Sequence, residues 1–293
     1  MPVLRHMLIL LCTCMLALPM HAQENVDFKG TSCVPVRTTT EEELAFRAGE
    51  RMEFILHYKW GSINADVGTA KVALDSLTFN GQEAFRCTAS GRTTKLFDLF
   101  FKVREEFASW FTREGMRPLK FTRDTHEGGY EARNTYLYRW DEPEPYIAAD
   151  VYTSKLGQTS MQLPLTPCTY DLPALFFFAR NMDVDNVEPG RKYPMTFAID
   201  DEVFNVYFIL HGRETIKVKG LGTVNTIRFA AKLLEGEVFK GEEDMTIWVS
   251  DDENRLPVYF EAPLRVGVAA GRMSAFDGLK SPFTALVVNK MKK

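Results

Sequence analysis

The sequence predicts a mainly β protein: a curved antiparallel sheet, or half-open β-barrel, with one buried central helix and a repeated hairpin unit. Three observations carry this. Period-two runs such as RMEFILHYKW recur along the chain, punctuated at short intervals by Gly, Pro, Asn and Asp. YDLPALFFFARNMDV is the one longer stretch with helical spacing behind an N-cap residue. The aromatic content, 22 Phe, 10 Tyr and 4 Trp, suits broad pleated surfaces that pack against one another.

The first element is an export signal. Residues 1–22 have a basic start at Arg5, an apolar run from Met7 to Leu18 too short to span a bilayer, and Ala22 ahead of polar sequence. Cleavage is expected after Ala22. Leu11 and Thr13 precede Cys12 and Cys14, where a lipoprotein signal places a small apolar residue, so lipidation is disfavoured. Residues 23–45 read as a polar lead-in or linker, in which Thr40 and Glu43 have the spacing of a capping box. Residues 46–293 are expected to form a single β-rich domain, with two similar halves at 46–165 and 190–290 joined by a helix at 171–182.

Within that domain, RMEFILHYKW puts Met52, Phe54, Leu56, Tyr58 and Trp60 on one face of a strand. Asn80-Gly81 supplies the positive φ angles of a two-residue hairpin. Strands are expected through 70–77, 103–111, 119–123, 132–140, 147–152, 193–199, 203–210, 224–233, 245–249, 256–261 and 283–288. KLFDLFF sets Phe97, Phe100 and Phe101 at helical spacing. In the longer helix Asp171 is the N-cap, Pro173 lies in the first turn, and Leu172, Leu175, Phe176 and Ala179 form one stripe. Phe177 and Phe178 make it apolar nearly all round, which places it in the interior. EEFASWFTREGMRPLKF and EEDMTIWVSDDENRLPVYF share an order of acidic pair, strand with Trp, polar turn, Pro and strand, which suggests the repeated hairpin.

Charge and motifs set limits on chemistry. The charges are interspersed around a net −4, so neither a nucleic-acid footprint nor a polybasic membrane stripe is visible. After the signal, no segment has about 18 consecutive apolar residues, so no transmembrane anchor is expected. Asp251 and Asp252, neighbours where a strand enters a turn, point in different directions and read as turn residues. SDDENRLP and DVDNVEPG lack the ligand spacing of a calcium loop. His57, His126 and His211 show no metal-ligand spacing, and no cofactor is expected. Cys33, Cys87 and Cys168, an odd count, permit at most one bridge; the strand around Cys87 favours a buried thiol, and Cys168 is the more exposed.

The order of AGERMEFILHYKWGSINADVGTA, YDLPALFFFAR and GEEDMTIWVSDDENRLPVYFEAPLRVGVAAG resembles the exported bacterial proteins of the family called domain of unknown function 3108, over about residues 46–272. The opening Gly-Glu and the Trp-x-Ser-Asp-Asp turn followed by Leu-Pro are its most specific parts. The resemblance implies a β-rich fold and a Gram-negative envelope or secreted location, periplasmic or associated with the outer membrane, and brings no catalytic residues with it. A looser similarity of architecture to periplasmic lipoprotein carriers, with a curved sheet sheltering acyl chains beside a helix, is analogy only.

The function expected is therefore non-enzymatic: an envelope protein binding an apolar or amphiphilic ligand, a lipid or acyl chain. A glycan-binding or surface-assembly protein is the alternative, and a hydrolase whose His, Asp or Cys site is assembled in space is the third. Trp60, Trp110, Trp248 and Phe176 are the candidate ligand-binding residues, against the plainer reading that they pack the core.

Overall fold

The computed structural model describes residues 40–231, 245–264 and 266–287. The expected signal at 1–22, most of the lead-in, and Val288 lie outside these residues. Strands β1 (Arg51–Trp60), β2 (Ile63–Phe79), β3 (Gln82–Thr93), β4 (Val103–Thr112), β5 (Pro118–Glu127), β6 (Tyr130–Arg139), β7 (Tyr146–Thr153) and β8 (Gly157–Pro164) form one meander. A second runs through β9 (Thr169–Tyr170), β10 (Lys192–Ile199), β11 (Glu202–Val218), β12 (Gly222–Ala231), β13 (Met245–Ser250), β14 (Pro257–Pro263) and β15 (Val268–Asp277). Pairing of β1 with β15 joins them into a single sheet in the order 8-7-6-5-4-3-2-1-15-14-13-12-11-10-9. All pairs are antiparallel except β9 with β10.

The alternation expected for β1 holds: Met52, Phe54 and Tyr58 are buried while Arg51 and Glu53 face out. Asn80 and Gly81 both have positive φ and turn β2 into β3. The sheet curls around its apolar face without its edge strands pairing, so it is barrel-like and unclosed. The curl brings Ala198 of β10 and Val203 of β11 against Phe121, Tyr136 and Ile147 of the first meander.

Helix α1 (Lys95–Asp98) is one turn between β3 and β4, and helix α2 (Leu172–Ala179) lies inside the curl. Asp171 caps α2 by accepting a hydrogen bond from the Ala174 amide at 3.0 Å, and Pro173 occupies the first turn, as the sequence requires. The most deeply buried side differs from the expected stripe. Ala174, Phe177 and Phe178 are buried while Leu172 is exposed, because Phe177 packs edge-on against Phe46 at 4.7 Å and beside Phe111. Leu175, Phe176 and Ala179 are half-buried against the same core.

The repeated hairpin is visible in register. In β4–β5 the pairing shifts between Trp110 and Phe111, and Phe111 then pairs with Pro118. In β13–β14 it shifts between Trp248 and Val249, and Val249 pairs with Pro257. Each shift falls where the proline removes a ladder donor. Two departures stand out. The segment expected as a strand at 283–288 makes only an isolated bridge at Leu286, because the backbone around Thr284 is engaged by a side chain described below. β15, rich in Ala and Gly, gave no strand signal; Gly271 is small because the Phe260 ring lies where a side chain would stand.

Candidate functional site

The three most specific stretches meet in space, at the end of the sheet where β1 begins. The Arg180 guanidinium follows α2 and is fully buried. It pairs with the buried Glu50 carboxylate through both oxygens and donates to the Asn254 carbonyl from Nη2 at 2.8 Å and Nε at 3.0 Å. Glu50 comes from the Gly-Glu ahead of β1, Arg180 ends YDLPALFFFAR, and Asn254 lies in the turn after WVSDD. Asp252 organises that turn. Its carboxylate accepts from Ser250 Oγ at 2.8 Å, from the Asn254 amide at 3.1 Å, and from the amides of Thr284 and Ala285. Asn254 also bonds the Pro282 carbonyl and the Ser281 amide. The polar turn is thus a buried clasp binding helix, first strand and C-terminal segment, and every acceptor in it is occupied by structure.

The candidate aromatic residues are not brought together. Trp110 and Trp248 stand on the outer face of the sheet, on β4 and β13, with five strands between them. Trp110 lies between Arg86 and Lys120, each about 5 Å from its ring centre. Trp248 tilts against Tyr259 at 5.3 Å and donates its indole N–H to Glu214 at 2.7 Å. Trp60 and Phe176 belong to the interior. Phe176 packs on the main core beside α2, and Trp60 joins a smaller apolar cluster around Tyr58, Val67, Ala262 and Leu264. That cluster sits at the opposite end from the clasp, and Phe97 of α1 packs onto it.

A buried polar cluster that no motif announces lies near the same end, where the β10–β11 turn meets the inner face of β4–β6. Asp200, at φ 50°, accepts from Arg123 Nη1 at 2.8 Å and Asn134 Nδ2 at 2.7 Å, and its carbonyl accepts from the Tyr136 hydroxyl at 2.6 Å. Arg123 Nε donates to Thr125 Oγ1, which donates to Glu105 Oε2 at 2.6 Å. Glu105 and Glu127 are both buried, and among the described residues Glu105 Oε1 and both Glu127 oxygens lack a donor. Burial, with the neighbouring Glu105 carboxyl, pushes Glu127 up to about 10, and burial also raises Glu105. A proton held by Glu127 and donated to Glu105 would relieve the repulsion between two buried carboxylates, while one Glu127 oxygen stays without a donor. The cluster is an internal charge lock holding the curled sheet together.

A model of a protein family of unknown function, DUF3108, matches residues 53–274. The chain belongs to the DUF3108 family. Arg180 and Asn254 of the clasp lie within the matched residues, and Glu50 stands just before them. Among solved structures, the chain is similar to a β-barrel-like protein of domain of unknown function DUF1849 from Brucella abortus. The TM-score is 0.50 at 12% identity, over 80% of this chain and 100% of that one, which is a likeness of fold. A structure from Parabacteroides distasonis described as a "putative lipoprotein" matches at 11% identity over 84% of this chain and 100% of that one, with a TM-score of 0.28. No curated protein matches the chain.

The remaining chemistry in this DUF3108 chain is dispersed. His57 Nδ1 lies 2.9 Å from Asp66, its Nε2 bonds Asn64, and Asp66 also holds Arg272 through two bonds of 2.8 and 2.7 Å. The Arg272 guanidinium holds Asp66 well below the usual carboxylate range. His126 is half exposed beside Asp124 at 3.2 Å, and His211 is exposed on β11. Cys87 is a free, buried thiol, raised by desolvation, and Cys168 is disulfide-bonded. A bonded Cys168 is not a nucleophile. A groove of about 650 Å³ crosses the outer face of β2–β8, lined by Lys71, Arg86, Arg133, Glu106, Asp124 and Asp150 among small Thr and Ala side chains, so its walls are polar and of mixed charge. No helix among the described residues is long and apolar enough to cross a membrane.

Proposed function

We propose that this DUF3108 protein is a non-enzymatic component of the bacterial cell envelope that binds an amphiphile, with the acyl portion received at the end of the sheet away from the clasp. The carrying observation is the small apolar cluster of Tyr58, Trp60, Val67 and Leu264 at that end, onto which the single turn of α1 presses Phe97. One turn with no buried residue of its own is a light cover. The cluster stands apart from the main core, so a chain displacing Phe97 would meet the apolar side chains of Tyr58, Val67, Ala262 and Leu264. Titration with a fluorescent fatty acid tests this. Saturable binding that weakens severalfold in Phe97→Asp and Trp60→Ala supports the reading, and a signal that neither substitution changes opposes it.

A second reading rests on the outer face. Trp248 and Tyr259 form an aromatic pair flanked by the carboxylates of Glu214 and Glu261, a platform suited to a sugar ring and its hydroxyls. Binding of envelope oligosaccharides lost on Trp248→Ala, with acyl binding unchanged, would favour it.

A further inference from the structure

In an antiparallel meander the β1–β2, β3–β4, β5–β6 and β7–β8 connections all fall at one end, here the end opposite the clasp. That rim carries four of the most exposed large apolar side chains among the described residues: Leu96 is 65% exposed, Leu99 79%, Phe100 52% and Leu156 74%. Three of them lie in the six residues from Lys95 to Phe100. Isolated exposed leucines need no explanation, but a cluster of them does.

The β3–β4 connection is built to hold them outward. Asp98 is fastened by Arg104 through bonds of 3.0 and 2.6 Å and by the Thr93 hydroxyl. Phe97 points inward onto the Tyr58–Trp60 cluster. Phe101 lies on Gly128 of the β5–β6 turn, so close that a Cβ added there would stand 2.5 Å from its ring, and the Gly128 amide bonds the Lys102 carbonyl at 2.9 Å. The β7–β8 turn is tied to the same block, since the Ser154 amide bonds the Glu131 carbonyl at 2.8 Å and Lys155 stands over the Tyr130 ring. At the usual strand spacing, the four strands β4–β7 separate Leu99 from Leu156 by roughly 15–20 Å. The tip is therefore a braced, presented surface.

Charge identifies the occupant. On a chain of net −4, exposed Lys95 and Lys102 flank the leucines and Phe100, Lys155 flanks Leu156, and exposed Arg92 stands near the end of β3. The acid in the loop, Asp98, is neutralised by Arg104. The apolar tips of the β3–β4 and β7–β8 connections, flanked by lysine while the acids Glu131, Asp201 and Glu202 stand at the β5–β6 and β10–β11 turns, match the boundary of a bilayer bearing anionic headgroups, where acyl chains receive the one and phosphates the other. We infer that this rim docks on an anionic phospholipid membrane, with Leu96, Leu99, Phe100 and Leu156 entering the headgroup region and Lys95, Lys102 and Lys155 contacting phosphates. This builds on the amphiphile reading, because the surface would present the Trp60 cluster to the lipid it takes up.

The test is flotation of the full processed chain with vesicles of phosphatidylglycerol and phosphatidylethanolamine, against vesicles of phosphatidylcholine. The parent protein should float with the first and stay behind with the second. A Leu96→Ser, Leu99→Ser, Phe100→Ser variant should lose flotation while its melting temperature is kept, since these side chains face out. Lys95→Gln with Lys102→Gln should weaken partition by about five-fold per lysine and serves if the triple variant does not fold. Absence of flotation, equal flotation with both vesicles, or flotation unchanged in the variants would overturn the inference. So would a lipid-free dimer that the rim substitutions dissociate, which would assign the surface to a second copy. A protein that floats yet carries no acyl ligand overturns the amphiphile reading and keeps docking; one that carries ligand but never floats does the reverse.

Discussion

Arg180 is the residue on which the molecule's signature converges. Its guanidinium and the Glu50 carboxylate are both removed from water, so their contribution depends on the full set of bonds to Asn254 and Ala45 being made. Removing one partner leaves a bare charge inside. Glu50→Ala or Arg180→Ala should each cost about 3–5 kcal/mol in urea denaturation, and Glu50→Leu with Arg180→Met together should cost less than either. Asp171 gives a pH signature at the same scale. Burial lifts its carboxyl up to about 7, against an ordinary value near 4, while Ser109 at 2.9 Å and Tyr138 at 3.1 Å partly support the anion. Between those two values the folded state holds a proton that the unfolded state has released. Stability contributed at this site is therefore present at pH 4 and is lost as pH rises through 7. Asp171→Asn keeps the cap and should flatten that slope relative to the parent, whereas an unchanged slope would place the titration elsewhere. None of this was legible in sequence beyond the N-cap itself, because the shift comes from partners 33 and 62 residues away.

Elements were legible where their signals are local. β1 declared itself by alternation, the β2–β3 hairpin by Asn-Gly, α2 by Asp-Leu-Pro, and the paired hairpins by Trp and Pro at matching places. β15 was not, since its small residues are chosen by neighbours: Gly271 for the Phe260 ring, and Gly278 just beyond the strand for the Gly49 carbonyl, 2.3 Å from where a Cβ would be. Gly278→Ala also meets a φ of 70°. It should destabilise by about 1–3 kcal/mol, read as a lower denaturation midpoint with unchanged slope. The polar turn of β13–β14 was read as a turn and is one, yet its side chains serve the C-terminal segment, which alternation alone had suggested was a strand. At this scale the cysteines give a further check. Cys87 is free and buried, so its thiol should react with a thiol reagent when the protein is unfolded without reductant and stay unreactive when it is folded.

The whole molecule has two unlike ends. One is clasped by Glu50, Arg180 and Asn254; the other carries an apolar rim over the Trp60 cluster, with the Arg123–Asp200 lock beneath it. The sequence announced the first end through its most recognisable residues, which proved to be about folding. It hid the second, because leucines in a short loop carry no periodicity that separates a presented tip from a buried turn. Of the four aromatic residues proposed from composition, the fold sends Trp60 toward the rim, Phe176 to the core, and Trp110 and Trp248 to the outer face. The amphiphile account stands on the rim end, and native mass spectrometry of the protein taken from its native cells reaches it directly. The account predicts a bound species that denaturing extraction releases as an acyl lipid and that Phe97→Asp no longer retains. A mass equal to the bare polypeptide, with nothing extracted, would contradict it.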